Sequence, residues 1–199
     1  RTVKPMKMYA NFHETGAKVF LGITIPAGTS GEQSLTLALD RLFNHPNLCP
    51  FISRQLIQRF VTSNPSAAYT GRVASACVNN GQGARGDMKA IIRAILLDAE
   101  ARDASKLADT QWGKVREPAL RLSNWARCFK ATSASGSWTI RNLDSASFSL
   151  GQQPWRAPSV FNFFRPDYVP PNTAIATAGL VAPEFQLIGE TAVAGYTNY

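Results

Sequence analysis

The sequence predicts a mainly α-helical fold: a helical bundle of five or six helices with a short N-terminal β-hairpin and a Pro/aromatic-rich C-terminal wrap. Three observations carry that expectation. Between His45 and Arg102 the apolar residues recur at helical spacing. The run breaks at Asn64-Pro65 and across the Gly-rich Asn80–Gly86 segment, where Pro and Gly interrupt a helix. Beyond residue 150, prolines and aromatic residues are too dense for a long helix.

Residues 1–28 read as an extended segment. Met8–Phe12 and Lys18–Ile25 are the expected strands, reversing at Glu14-Thr15-Gly16, where Gly tolerates a positive φ. Pro26 ends the second strand because it has no N–H for a ladder. Residues 29–130 form the expected helical core. Ser30 followed by Gln33 is a capping-box signature, so a helix starts there, with Leu35, Leu39, Leu42 and Phe43 as its apolar stripe. A second helix is expected over about Pro50 to Thr62, with Ile52, Leu56 and Phe60 on one face, Ile57 and Val61 beside them, and Arg54, Gln58 and Arg59 left for solvent or partners. Asn64 as N-cap and Pro65 at the first helical position start a third, on which Tyr69, Val73 and Cys77 share a face.

Asp87 caps a fourth helix whose Met88, Ile91, Ile92, Ile95 and Leu96 make the widest apolar stripe, which places this helix at the core. Near its end Asp98 faces Arg102 at i,i+4, a favourable ion-pair spacing. A fifth helix is expected from Lys114 to Lys130, with Leu122, Trp125 and Phe129 on one side and Pro118 in the first turn. Residues 131–150 are Ser/Gly-rich and read as a flexible loop. Residues 151–199 form the wrap, with a final helix opening at Pro183 and running through Glu184, Leu187, Ile188 and Thr191.

Lys and Arg total 21 against 13 Asp and Glu, a net charge of +8 that favours anionic surfaces. The basic residues are dispersed along the helices and no nucleic-acid motif accompanies them, so nucleic acid is not an expected partner. No apolar stretch approaches the ~20 residues that cross a bilayer, so no membrane span is expected. Arg1 follows no initiator Met and no leader, and the chain is read as a fragment. Cys49, Cys77 and Cys128 lie far from any CxxC spacing. One bridge between Cys49 and Cys77 suits an oxidising compartment, and three buried thiols suit the pattern slightly better.

Chemistry-bearing candidates are few. His13 and Glu14 beside Gly16 pair an imidazole with a carboxylate at a turn, a combination able to bind a divalent metal or act as acid and base. Adjacent strand residues face opposite ways, however, so a polar hairpin tip with Glu14 paired to Lys18 is the simpler expectation. His45 suits a capping role at a helix end. Glu117 beside Arg116 suits an interhelical ion pair, or a catalytic carboxylate if its pKa is perturbed. Trp155, Arg156, Arg165 and Tyr168, with Phe161, Phe163 and Phe164, could line a ligand groove or fasten the wrap to the bundle. Asn79–Gly83 has the glycines of a phosphate loop without its Lys-Ser/Thr, and HExxH, GxSxG and GxGxxG do not occur. No metal site and no cofactor are expected.

Several segments carry a resemblance. They are His13-Glu14-x-Gly16-x-Lys18 with Leu21-Gly22 and Ile25-Pro26-Ala27-Gly28; His45-Pro46 through Pro50-Phe51-Ile52-x-Arg54-x-Leu56; and Gly86-Asp87, Ile95–Asp98 and Glu100-Ala101-Arg102. Arg116-Glu117-Pro118 and Pro158–Phe163 with Pro166 complete the set. Together they resemble the bacterial family called domain of unknown function 1800 (DUF1800) over nearly the whole chain. That resemblance implies a C-terminal part of a longer protein, preceded by a helical N-terminal region, and an exported, periplasmic location. It implies no activity. The functional expectation is therefore a binding or assembly module of an exported protein, its partner another protein or the N-terminal region of the same one. The alternative is a hydrolase or metal-dependent enzyme using His13, Glu14 or Glu117 in a site shared with that N-terminal region.

Overall fold

The computed structural model describes residues 6–138, 140, 142–160, 162–190, 192, 193 and 195. It is mainly helical with a two-stranded antiparallel hairpin near its N-terminus. The chain forms two compact units, Arg1–Ile52 and Ser53–Tyr199.

In the first unit the hairpin comprises β1 (Lys18–Phe20) and β2 (Ile23–Ile25), with Lys18 opposite Ile25 and Phe20 opposite Ile23. Both strands thus lie inside the stretch expected to be one strand. The two-residue turn Leu21-Gly22, with φ of 45° and 79°, has the positive φ pair whose twist matches a tight hairpin. Met8–Phe12 is not a strand; Ala10–Phe12 is a 3-10 turn. Helix α1 (Gly31–Phe43) starts as expected, the Ser30 hydroxyl accepting from the Gln33 N–H at 3.2 Å. Arg41 Nε donates to the Leu21 carbonyl at 2.7 Å, fixing the hairpin turn to α1. The stripe expected to be buried is not: Leu35 is 53% and Leu39 55% exposed, and Leu42 and Phe43 are exposed as well. Gly31 and Ser34 are the buried positions of α1, where the Met8 side chain lies against Gly31 and His13 Nε2 lies 3.5 Å from Ser34 Oγ.

Helix α2 (Leu48–Phe60) spans the residues at which the two units meet in sequence. Its buried face is Cys49, Ser53 and Ile57, spaced i, i+4, i+8, while Phe60 is exposed. The stripe is therefore turned relative to the expected Ile52, Leu56 and Phe60. Gln58 and Arg59, expected to face solvent or partners, are buried and half-buried respectively. Cys49 and Cys77 are both disulfide-bonded and Cys128 is an exposed thiol, which overturns the balance in favour of three thiols.

The second unit is centred on α3 (Ala67–Val78) and α4 (Met88–Leu97), which pack closely together. Tyr69, Val73 and Cys77 are buried on α3, and Ile91 and Ile95 on α4; Met88 and Leu96 are exposed, so the α4 stripe is narrower than its sequence suggests. The Tyr69 hydroxyl donates to the Ile95 carbonyl at 2.6 Å, so the ring fills the interface and its polar tip is satisfied. The N-cap of α3 is Ser66, not Asn64. Asn64 instead exchanges two 2.9 Å hydrogen bonds with the backbone of Val181, holding the C-terminal segment as a β partner would.

Asp87 caps α4 as expected. Asp98 ends it and caps the short α5 (Ala99–Arg102), and its carboxylate pairs not with Arg102 but with Arg72 in a bidentate fork of 2.7 and 2.8 Å. Helix α6 (Pro118–Cys128) begins four residues later than expected, with Pro118 at its first position. Its Trp125 and Phe129 rings stack 5.2 Å apart but remain exposed.

Residues 131–150 form neither helix nor strand among those described, yet Leu143 and Leu150 are buried and the loop closes through Gln152 N–H to the Leu143 carbonyl at 3.0 Å. In the wrap, α7 (Ala174–Thr177) is a single turn and Pro183–Leu187 is a 3-10 turn where an α-helix was expected. Thr191, the expected end of that helix, and Phe161 lie outside the described residues.

Candidate functional site

Helix α6, the end of α2 and the segment 113–117 surround a cleft of about 800 Å³ in the second unit. Leu120, Ser123, Asn124 and Arg127 line it from α6. Their i, i+3, i+4, i+7 spacing makes them one face of that helix, opposite in character to its aromatic Trp125/Phe129 side. Arg59, Phe60 and Val61 line it from α2, and Gly113, Lys114, Arg116 and Glu117 from the connecting segment.

Four of these residues are cationic and one is acidic, and the acid is already committed. Arg59 Nη1 lies 3.3 Å from Glu117 Oε1, and Gln152 Nε2 donates to Glu117 Oε2, so both carboxylate oxygens have partners. Gln152 is buried and bonds the start of α6 twice: its Oε1 accepts from the Ala119 N–H at 3.1 Å. Glu117, the N-cap residue, makes no side-chain cap bond itself, and Gln152 supplies that acceptor from 33 residues away. Arg59 in turn stacks on the buried Phe164 ring with its guanidinium carbon 4.1 Å from the ring centroid. Lys114 Nζ is paired with Glu184 Oε1 at 2.8 Å and donates to the Arg59 carbonyl at 2.9 Å. Arg116 and Arg127 are exposed and carry the charge that these internal pairs leave over.

The other sequence candidates are dispersed. His13 and Glu14 belong to the first unit. Ser34 Oγ lies 3.5 Å from His13 Nε2. Glu14 accepts from the Gly16 N–H at 2.6 Å and lies 3.5 Å from Lys18 Nζ. The Gly16 N–H, followed by Lys18, holds the Glu14 carboxyl below its ordinary pKa. That is the expected polar pair, and no cluster of three or more metal-ligating residues occurs among the described residues. His45 does structural work at the start of α2, its Nδ1 accepting from the Asn47 N–H at 3.2 Å.

Trp155 is fully exposed, Arg156 pairs with Asp144 at 2.9 Å, Arg165 is exposed and Tyr168 is half-buried with its carbonyl accepting from Ala182. None of these four lines the cleft. In the Asn79–Gly83 connection, Asn79 Oδ1 takes the N–H groups of Gly81 and Gly83, and Asn80 Oδ1 those of Gln82 and Ala84. The amides that a phosphate loop offers its ligand are already used. The sequence marks Glu117 through Arg116 beside it, but not its partners Arg59 and Gln152, nor Arg127 as lining the same cleft, since their convergence depends on long-range packing.

A family model described as a protein of unknown function (DUF1800) matches residues 2–198. The chain belongs to this family. No curated protein and no solved structure matches it. Within this DUF1800 chain the matched span includes the cleft, and the Arg116-Glu117-Pro118 segment places there an exposed cation, an internally paired carboxylate and the first residue of α6.

Proposed function

We propose that this chain is a binding module of an exported protein, and that the cleft beside α6 takes an anionic ligand. The observation that carries the reading is the surplus of Arg116 and Arg127 in a cleft whose one carboxylate is neutralised from within. Guanidinium groups bond carboxylate and phosphate in a planar fork, and Phe60, Val61 and Leu120 offer apolar contact beside them. Both oxygens of Glu117 are engaged, which suits a residue that positions Arg59 and α6 better than one that exchanges protons. Export is supported by the disulfide-bonded Cys49 and Cys77, a state that persists in oxidising compartments. Leu35, Leu39, Leu42 and Phe43 add an exposed apolar surface of the sort assembly uses.

The test is a direct binding comparison. A Glu-rich peptide, an oligouronate and inorganic phosphate are titrated into the protein beside a Gln-rich peptide and a neutral oligosaccharide. The anionic probes are expected to bind in preference, more weakly as salt rises, and Arg116→Gln and Arg127→Gln are each expected to weaken binding about tenfold. Equal binding of charged and neutral probes contradicts the reading. So does turnover of ester, phosphate or peptide substrates that Glu117→Gln abolishes while melting stays the same.

A further inference from the structure

A much smaller cavity of about 10 Å³ shares Arg59 with the cleft and is lined also by Gln55, Gln58, Phe164, Pro166, Pro183 and Glu184. Gln58 is 4% and Glu184 1% exposed. Each carries one oxygen, Gln58 Oε1 and Glu184 Oε2, with no hydrogen-bond donor among the described residues. The orientation of the Gln58 amide is set by its other end: Nε2 donates to the Ser63 carbonyl at 3.0 Å and the Pro166 carbonyl at 3.2 Å, and an oxygen there would face two acceptors. Glu184 Oε1 is taken by Lys114 Nζ at 2.8 Å. A buried acceptor left without a donor is destabilising, more so when it is charged, so two on residues that line one cavity call for a donor between them.

We propose that a single water molecule occupies this cavity and donates one hydrogen bond to Gln58 Oε1 and the other to Glu184 Oε2. The size fits, since one water needs roughly 10–15 Å³ of such space. Charge selects water over a monovalent cation. The Glu184 carboxylate is already paired with Lys114, and the Arg59 guanidinium that lines the same cavity is paired with Glu117, so an added cation finds no unpaired carboxylate to balance it. The bridge joins α2 to the 183–187 turn of the wrap. It is a fixed part of the fold, distinct from the ligand proposed for the open cleft.

High-resolution crystallography decides it. The expected result is one oxygen within hydrogen-bond distance of both Gln58 Oε1 and Glu184 Oε2, with no anomalous peak there after a rubidium chloride soak. A rubidium peak, an empty cavity, or a Gln58 Oε1 bonded to a protein donor overturns the proposal. In Gln58→Leu, which removes one of the two acceptors, the oxygen is expected to disappear; its persistence at full occupancy also counts against the bridge.

Discussion

At the residue scale, what holds each side chain is set by its partners more than by its type. Asp98 shows this. The Arg72 fork, together with the Glu100 N–H, holds its carboxyl below the ordinary range, while Tyr69, buried beside the same acids, has its hydroxyl pushed up. A depressed carboxylate pKa stabilises the fold fully above the unfolded value of about 3.9, and that contribution is lost as pH falls through the folded value. The melting gap between the parent and Asp98→Asn is therefore expected to be widest near neutral pH and to narrow as pH falls below the unfolded value of about 3.9; a gap that grows on acidification refutes the assignment. Gly195 gives a steric case. A Cβ there would stand 2.1 Å from the Ser149 carbonyl oxygen and 2.8 Å from that of Ala146, both backbone atoms. Gly195→Ala is expected to lower stability by ~1–3 kcal/mol in chemical denaturation.

At the element scale, the two central helices carry the second unit. Ile95 is fully buried in the α3–α4 interface, so Ile95→Ala is expected to cost ~2–5 kcal/mol, and a thermal melt overlapping the parent's removes α4 from the core. The opposite substitution works on the solvent side of α3. Gly71 sits mid-helix with open space where a Cβ would stand, so Gly71→Ala is expected to raise stability by ~0.5–1 kcal/mol through the unfolded chain's lost freedom.

These elements also show what the sequence makes legible. Local chemistry reads well: the Ser30 and Asp87 caps, Pro118 at a helix start and the Tyr69/Val73/Cys77 face all follow from short-range rules. Register and rotation do not. The hairpin turn falls at Leu21-Gly22 because Arg41 fastens it to α1, and the inner face of α2 is turned because Gln58 finds acceptors at Ser63 and Pro166, the latter 108 residues on. Asn64 looks like a cap in sequence and becomes a backbone partner of Val181 for the same reason. The candidate cleft is illegible in detail because its walls come from residues 59–61, 113–117 and 120–127, with Gln152 behind them.

At the scale of the whole molecule, redox state and charge link structure to setting. With Cys49 and Cys77 bonded and Cys128 free, thiol titration of the denatured, unreduced protein is expected to find one thiol per chain, and three thiols remove the structural support for export. The net charge of +8 draws anions toward the surface in general, whereas the proposed site would hold them at the cleft alone. Those two effects separate by position. The most direct measurement is an amide NMR titration with a Glu-rich peptide. The account predicts saturable shifts confined to residues 59–61, 113–117 and 120–127, abolished in the Arg116→Gln/Arg127→Gln double variant. Shifts spread over the whole cationic surface, or unchanged in that variant, contradict it.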